Sequence, residues 1–244
     1  NSIACANIML NGAVADVLKG YADTLEKAKD FETALHDLIK KSIIEHKRII
    51  FNGNGYDDEW IKEATEKRGL LNLRTTPDAL PTILEKKNSD MLTSLKIFTP
   101  AEIKSRYEIT LENYCKTVNI EALTMIDMAR KEILPAIVSY VKELSETIGA
   151  AKAVAPSAPL GYGSKTVSKL CALVDEIDQK TDALEAAADR YKQITDVTAA
   201  ANDIRDDILQ RMAELRVPCD EAETLMPESA WPFPTYGDLL FGVK

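Results

Sequence analysis

The chain has 244 residues, of which 45% are hydrophobic, 28% charged and 6% aromatic, and its formal net charge is −9 at pH 7. This charge argues against nucleic acid or an anionic membrane as the main partner, because both repel an acidic surface. No apolar run reaches the roughly 18 residues that a membrane-spanning helix needs. The shortage of aromatic residues favours helices over strands.

The four cysteines lie far apart and form neither a CxxC motif nor a cluster with histidine: Cys5, Cys115, Cys171 and Cys219. This pattern is typical of a reduced chain with small buried thiols, and it predicts a cytoplasmic location. The apolar start lacks the basic n-region of a signal peptide and begins without methionine. We interpret it as a chain cut at Asn1.

Two helices are predicted first. Residues 3–29 carry apolar side chains at helical spacing on nearly all sides, which predicts a buried helix. Residues 31–46 have one apolar face and predict a second helix. Residues 49–51 (Ile-Ile-Phe) then predict a short strand, before turn residues at 52–55.

The turn leads into a further predicted helix over residues 58–68, capped by Asp57 or Asp58 and ending at Gly69. A phosphate-binding loop is the alternative reading of the two glycines, but the Gly-Lys-Ser/Thr ending of that motif is absent.

Residues 70–98 divide into short helical pieces. Pro77 is expected just inside a helix that starts after Thr76, and Asn88 or Ser89 is expected to cap another.

The longest predicted helix begins at a capping box formed by Thr99 and Glu102, with Pro100 at the first helical position. Its apolar residues recur at helical spacing up to Gly149. Pro135 is expected to bend this helix without ending it. The small, proline-containing segment 150–164 then predicts a connector.

Two more long helices follow the connector. Apolar residues from Val167 to Ile194 alternate steps of three and four, which predicts a heptad seam, and residues 197–226 form a further helix that Pro218 is expected to kink. Long amphipathic helices with short connectors pack antiparallel to bury their apolar stripes. Residues 162–228 hold fifteen acidic and eight basic residues, which fits a solvated face or an acidic docking site.

The chain offers little material for catalysis. His36 and His46 have no metal-ligand spacing, and GxSxG, HExxH and nucleotide-binding glycine motifs are absent. The carboxylates of the longest helix lack the Glu-x-x-His motif of di-metal bundles: Glu112, Glu121, Asp127 and Glu132. We therefore predict no catalytic, cofactor-binding or metal-binding residue in this chain.

Three polar residues stand out inside the longest helix, at Asn113, Lys116 and Asn119. They could fix the register of packed helices, or they could contact a subunit or substrate.

Four stretches carry a resemblance to a known family: NSIACANIMLNGAVADVL, HKRIIFNGNGYDDEW, RYEITLENYCKTVNIEALTMIDMARKEILPAIVSY and WPFPTYGDLLF. In the family's order, they resemble the C-terminal third of type III glutamine synthetase, the large bacterial form. The resemblance covers essentially the whole chain and is weakest at residues 150–165.

The resemblance implies an ATP-dependent ligase that activates the γ-carboxylate of glutamate as an acyl phosphate for attack by ammonia. It also implies Mg²⁺ or Mn²⁺ held by carboxylates, and rings of subunits with shared active sites. It places the catalytic residues upstream of this chain. Asn1 would lie at the edge of the site, where the family has Asn-Pro and this chain has Asn1-Ser2.

These observations predict an all-α fold: residues 1–98 end a catalytic domain, residues 99–228 form a long antiparallel helical bundle, and residues 229–244 form an aromatic tail that packs back. The expected partners are the rest of a glutamine synthetase chain and neighbouring copies in a homo-oligomer. The chain alone is expected to be structural, oligomer-organising and inactive. The alternative is an autonomous helical-bundle interaction module.

Overall fold

The computed structural model describes residues 3–242, and this part of the chain consists of helices and the segments between them, without a strand. The predicted all-α class is confirmed. Two compact units divide the chain, Asn1–Thr110 and Leu111–Lys244. None of the described helices is both long and apolar enough to cross a membrane. The domain roles assigned above to 1–98, 99–228 and 229–244 remain predictions.

The first unit is built from five helices and the start of a sixth. They are joined by 3-10 turns at Lys47–Ile49 and Leu80–Leu84 and extended by a π turn at Glu63–Lys67. The five helices are α1 (Ala4–Leu25), α2 (Phe31–His46), α3 (Asp58–Lys62), α4 (Thr76–Ala79) and α5 (Lys86–Ser94).

The prediction that the first helix is buried is wrong for the described residues. Gly12 is the buried residue of α1, whereas Leu10, Val14 and Leu18 are exposed. Helices α2 and α5 cover only part of the α1 surface, with Tyr21 Oη 3.0 Å from Ser42 Oγ on the α2 side. A helix that is apolar on nearly all sides therefore keeps a bare face in this unit.

The strand predicted at residues 49–51 is also wrong. Ile49 ends a 3-10 turn, and Ile50 and Phe51 are irregular. No neighbouring strand is available among residues 3–242, and the guanidinium of Arg68 instead donates hydrogen bonds to the carbonyls of Arg48 (3.2 Å) and Ile50 (2.9 Å). The run is held by a side chain rather than by a β ladder.

The helix caps of this region agree with the sequence at some positions and differ at others. Asp57 accepts the backbone N–H of Glu59, and Gly69 follows the π turn at φ +66°, as predicted. The next cap is Thr75 rather than Thr76.

Helix α5 begins at Lys86, so neither Asn88 nor Ser89 is its cap. Asn88 instead donates its side-chain N–H to the carbonyl of Thr82 at 2.7 Å, which also accepts the Glu85 backbone N–H that closes the preceding 3-10 turn. The Asn88 side-chain nitrogen thus ties α5 to the turn before it.

Helix α6 (Pro100–Met128) starts with the predicted capping box. The Glu102 carboxylate accepts from the Thr99 backbone N–H at 2.7 Å, and Thr99 Oγ1 accepts from the Glu102 N–H at 3.3 Å. A π turn (Ala129–Ile133) joins α6 directly to α7 (Leu134–Val154). Pro135 lacks an N–H and would clash with a carbonyl one turn earlier, so the wider π turn lets the helix continue through it.

The connector is shorter than predicted. Helix α7 continues to Val154 and α8 begins at Gly161, so residues 155–160 link them instead of residues 150–164. Residues 150–153 are mainly alanine, which favours helix, whereas Pro156 and Pro159 prevent its extension.

The second unit is an antiparallel bundle in which α7 and α10 both pack on α8. Its remaining elements are α8 (Gly161–Tyr191), α9 (Val197–Asp203), a π turn (Ile204–Ile208), α10 (Leu209–Leu225), a 3-10 turn (Glu228–Ala230) and α11 (Tyr236–Phe241). Pro218 lies within α10, and the helix continues past it.

The predicted heptad seam is the core of this bundle. Its fully buried members on α8 are Leu170, Ile177, Thr181, Leu184 and Ala188, and Leu173 joins them. Residues from the neighbouring helices complete the core: Ile137, Ile204, Ile208 and Leu215. Thr181 satisfies its buried hydroxyl by donating to the Ile177 carbonyl at 2.7 Å.

Candidate functional site

The residues considered for metal or acid–base chemistry do not converge. His36 and His46 are both exposed on α2. The α6 and π-turn carboxylates are also exposed, and two of them pair with lysines on their own helix, Glu112 with Lys116 and Asp127 with Lys131. Between residues 3 and 242 no three His, Cys, Asp or Glu side chains are grouped to hold a metal ion. Asn1 lies outside the described residues.

The polar residues singled out inside α6 have different environments. Asn113 and Lys116 are exposed, and the Lys116 ammonium is 3.0 Å from Glu112. Asn119 is half-buried, and its side-chain oxygen is buried without a hydrogen-bond partner among the described residues. Within the described part of the chain, neither Asn113 nor Lys116 forms a side-chain hydrogen bond with another helix.

An apolar groove marks the first unit. Cys5, Met9 and Leu10 of α1 face residues of the segment from Thr76 to Met91 across a cavity of about 490 Å³. Gly12 lets α1 come close to Met91 and Ile97, because a Cβ there would lie 3.5 Å from Met91 Cε and 3.2 Å from Ile97 Cδ1. Among residues 3–242, the groove is lined without a charged side chain.

The exposed apolar row of α1 begins at this groove. Leu10, Val14, Val17 and Leu18 follow the i, i+4, i+7, i+8 spacing that places side chains on one side of a helix. They are 67%, 58%, 49% and 58% exposed. We call these four residues the α1 face. Apolar rows of this kind mark contact surfaces, since water is a poor neighbour for them.

The aromatic tail divides into two parts. Trp231 and Phe233 are half-buried, meet edge to face with ring centroids 6.2 Å apart, and line a cavity beside Met128 and Cys219. Helix α11 is exposed, with Tyr236, Leu239, Leu240 and Phe241 open to solvent. A capping box between Thr235 and Asp238 holds α11 together although it has few apolar contacts.

Several acidic residues of the second unit take part in ion pairs between helices. Arg130 reaches Asp182 (2.6 Å) and Glu185 (2.7 Å) on α8, and both carboxylates raise the pKa of its guanidinium. Arg190 joins α8 to Asp203 at the end of α9 (2.9 Å) and to Asp207 in the π turn that follows (2.7 Å). These carboxylates stabilise helix packing.

A stacked cluster in the first unit has no equivalent in the sequence predictions. The rings of Phe51 and Trp60 are 3.7 Å apart and nearly parallel, and the Arg68 guanidinium lies 4.9 Å from the Trp60 centroid. Arg68 is also tied to Glu63 at 2.6 Å. The sequence does show one aromatic residue before the turn and one after it. Nothing in the sequence specifies that the two rings stack.

Residues 34–152 match the family described as the glutamine synthetase C-terminal domain. A glutamine synthetase from Butyrivibrio fibrisolvens is 36% identical over 242 residues, which is 99% of this chain and 33% of the relative. The chain belongs to the glutamine synthetase family.

Two further glutamine synthetases align with nearly all of the chain. A type-3 glutamine synthetase from Dictyostelium discoideum is 30% identical and covers 96% of the chain, and a glutamine synthetase from Bacteroides fragilis is 27% identical and covers 98%. The chain spans about one third of the length of these relatives. The resemblance seen in the four sequence stretches is thus confirmed at the level of the family.

Proposed function

We propose that this chain is the architectural part of a glutamine synthetase and carries no catalytic group of its own. The whole enzyme would condense glutamate with ammonia at the expense of ATP, with Mg²⁺ or Mn²⁺ held by residues outside this chain. The observation that carries the proposal is the α1 face, an exposed apolar row on a chain whose relatives are glutamine synthetases about three times its length.

The α1 face would pack against the catalytic body of the enzyme. Leu10, Val14, Val17 and Leu18 are each about half exposed or more, and burying them there would contribute roughly 25 cal/mol per Å² of apolar area removed from water. The opposite side of α1, which carries Gly12, already packs within the first unit. The second unit would then serve the assembly of the enzyme into a homo-oligomer through its bundle and tail.

The architectural role is tested in the glutamine synthetase that contains this chain. The double substitution Val14→Ser and Leu18→Ser should reduce the amount of assembled enzyme in sedimentation and lower glutamine formation. The melting temperature of the 244-residue chain alone should stay the same, because both side chains are already exposed in it. The matched control is Ile39→Ser with Ile43→Ser, two exposed apolar residues at the same i, i+4 spacing on α2 and outside the α1 face, which should leave assembly and activity unchanged.

The inactivity of the chain is tested separately. The purified 244-residue chain, given glutamate, ammonia, ATP and Mg²⁺ or Mn²⁺, should form no glutamine. Metal-dependent glutamine formation would contradict the proposal at once. Normal assembly and activity of the enzyme with the altered α1 face would contradict the docking role while leaving inactivity untouched.

An autonomous interaction module differs from this proposal in the size of the natural protein. An antibody raised against the chain should detect a protein several times heavier than 27.0 kDa that sediments with glutamine synthetase activity. A natural protein near 27.0 kDa would favour the interaction module.

A further inference from the structure

The cavity under the aromatic tail is built from residues of three separate segments of the second unit. Its volume is about 320 Å³, within the range of pockets that hold small molecules. The floor is buried and apolar, made by Ala129, Ile133, Leu215 and Cys219. Desolvation raises the pKa of the Cys219 thiol to about 11, so the floor carries no charge at neutral pH.

The walls are soft and aromatic. Met125 and Met128 are half-buried on one side, and Trp231 and Phe233 are half-buried on the other. Methionine adapts to ligands of irregular shape, and aromatic ring faces attract organic cations. The edge-to-face contact of Trp231 with Phe233 fixes the orientation of both rings.

The mouth carries the charges. Arg216, Asp220 and Glu223 lie there on successive turns of α10 and are exposed. The Arg216 guanidinium is 3.0 Å from the Asp220 carboxylate, so these two charges offset each other. Glu223 adds a second carboxylate, which makes no ion pair within 4.0 Å among residues 3–242 and acts on Arg216 only at longer range. The net field at the mouth is therefore negative.

We propose that this cavity binds a small organic cation with an apolar body, of the size of a phenylalkylamine. The apolar body would lie between the methionines and the aromatic rings, and the ammonium group would remain at the mouth beside Glu223. The chain's net charge of −9 adds to the attraction for cations. This site shares no residue with the α1 face, and its binding is measured on the 244-residue chain itself.

The test uses the 244-residue chain with Trp60→Phe, which leaves Trp231 as the one tryptophan reporter. Three probes of similar size are titrated: 2-phenylethylamine, 2-phenylethanol and 3-phenylpropionate. We expect a saturable change in Trp231 fluorescence with the amine, at a Kd on the order of 1 mM or tighter. The alcohol should bind more weakly, and the carboxylate weakest of the three.

Variants then locate the cation. Glu223→Gln should weaken binding of the amine about 2- to 5-fold, the range for an exposed charge pair, and leave the alcohol unchanged. Glu214→Gln is the matched control, because Glu214 is an exposed carboxylate of the same helix outside the cavity lining. It should alter neither probe.

The other outcomes overturn the proposal. If the amine gave no saturable change in Trp231 fluorescence, the cavity would not be a binding site for organic cations. Tighter binding of 3-phenylpropionate would assign it to anions through Arg216 instead. An unchanged amine affinity in Glu223→Gln, or an equal loss for amine and alcohol, would show that the carboxylate does not recognise the charge.

Discussion

Arg130 and Asp182 are 52 residues apart in sequence, yet Arg130 Nη2 lies 2.6 Å from Asp182 Oδ1. The bond joins the π turn between α6 and α7 to the middle of α8. A second bond from the same guanidinium to Glu185, at 2.7 Å, makes the contact a fork across two turns of α8. The ion pairs of this bundle thus fix how α8 is placed along its neighbour.

Substituting Arg130 should lower the stability of the second unit. For Arg130→Gln we expect a loss of about 0.5–1 kcal/mol in the free energy of unfolding, because the Arg130 side chain is 35% exposed and solvent screens part of the attraction. Urea unfolding followed by circular dichroism measures it. The control is Lys131→Gln, whose partner Asp127 lies on the same helical segment. Equal losses in the two variants would mean that the contact with α8 contributes nothing special.

The pH dependence of stability should involve Asp207. Hydrogen bonds from Arg211 and then Arg190 lower the pKa of its carboxyl group in the folded chain below the usual value of about 3.9. The ionised form therefore favours folding above the unfolded pKa. This contribution is lost as the pH falls through the lower, folded pKa.

The measurement compares Asp207→Asn with the unchanged chain between pH 3 and pH 7. The variant should unfold at a lower urea concentration at neutral pH, and the difference should shrink below about pH 4. Asp175→Asn, at an exposed position on α8, serves as the control. A difference that stays constant down to pH 3 would contradict the role of Asp207 ionisation.

The cysteines should react in two classes. Cys5 and Cys171 are exposed, whereas Cys115 and Cys219 are buried and burial raises the pKa of both thiols, that of Cys219 to about 11. The thiolate is the reactive form, so the two buried thiols should react at least about ten times more slowly at pH 8. A disulfide-exchange reagent monitored by absorbance distinguishes the classes. Four equal rates in the native chain would contradict the buried positions.

The heptad pattern predicted the bundle core well because α7 and α10 both pack on the apolar stripe of α8, and such a stripe shows in the sequence as a regular spacing. Ile177, Leu184 and Ala188 were all recognisable from their spacing. The exposure of the α1 face was not predictable, since a helix that is apolar on nearly all sides indicates that a partner is needed but does not say whether that partner lies in the same unit. The same holds for residues 49–51, where the strand prediction failed because Arg68 satisfies the carbonyls.

The cavity under the aromatic tail could not be predicted from the sequence. Trp231 and Phe233 are recognisable in the sequence as an aromatic tail. The cavity beneath them also needs Met125 and Met128, about 100 residues earlier in the chain, and Cys219 on α10. Sequence spacing describes neighbours on one helix. It cannot specify which half-buried residues of two helices leave a space between them.

The core of the bundle should be sensitive to truncation at Ile177. This side chain is fully buried, so Ile177→Ala removes apolar contacts and leaves a cavity that should cost about 2–5 kcal/mol of unfolding free energy. Val138→Ala, at an exposed position of α7, should change stability by less than about 0.5 kcal/mol. Denaturant midpoints measure both. A loss below 1 kcal/mol at Ile177 would mean that the seam packs less tightly than its burial indicates.

The two parts of the tail should behave differently when altered. Trp231→Ala removes a half-buried ring that packs against Phe233 beside Met128, so it should lower the melting temperature of the chain. Phe241→Ala, on exposed α11, should leave that temperature unchanged. Deleting residues 230–244 should lower it at least as much as Trp231→Ala does.

Within the larger glutamine synthetase, the same Phe241→Ala change gives a separate answer. If α11 contacts a neighbouring copy, sedimentation should show less of the assembled form, although the melting temperature of the chain itself is unchanged. The reason is that Leu239, Leu240 and Phe241 are exposed in the chain and can be buried by a partner. An unchanged melting temperature together with an unchanged oligomer size after deletion of 230–244 would show that the tail serves neither the bundle nor the assembly.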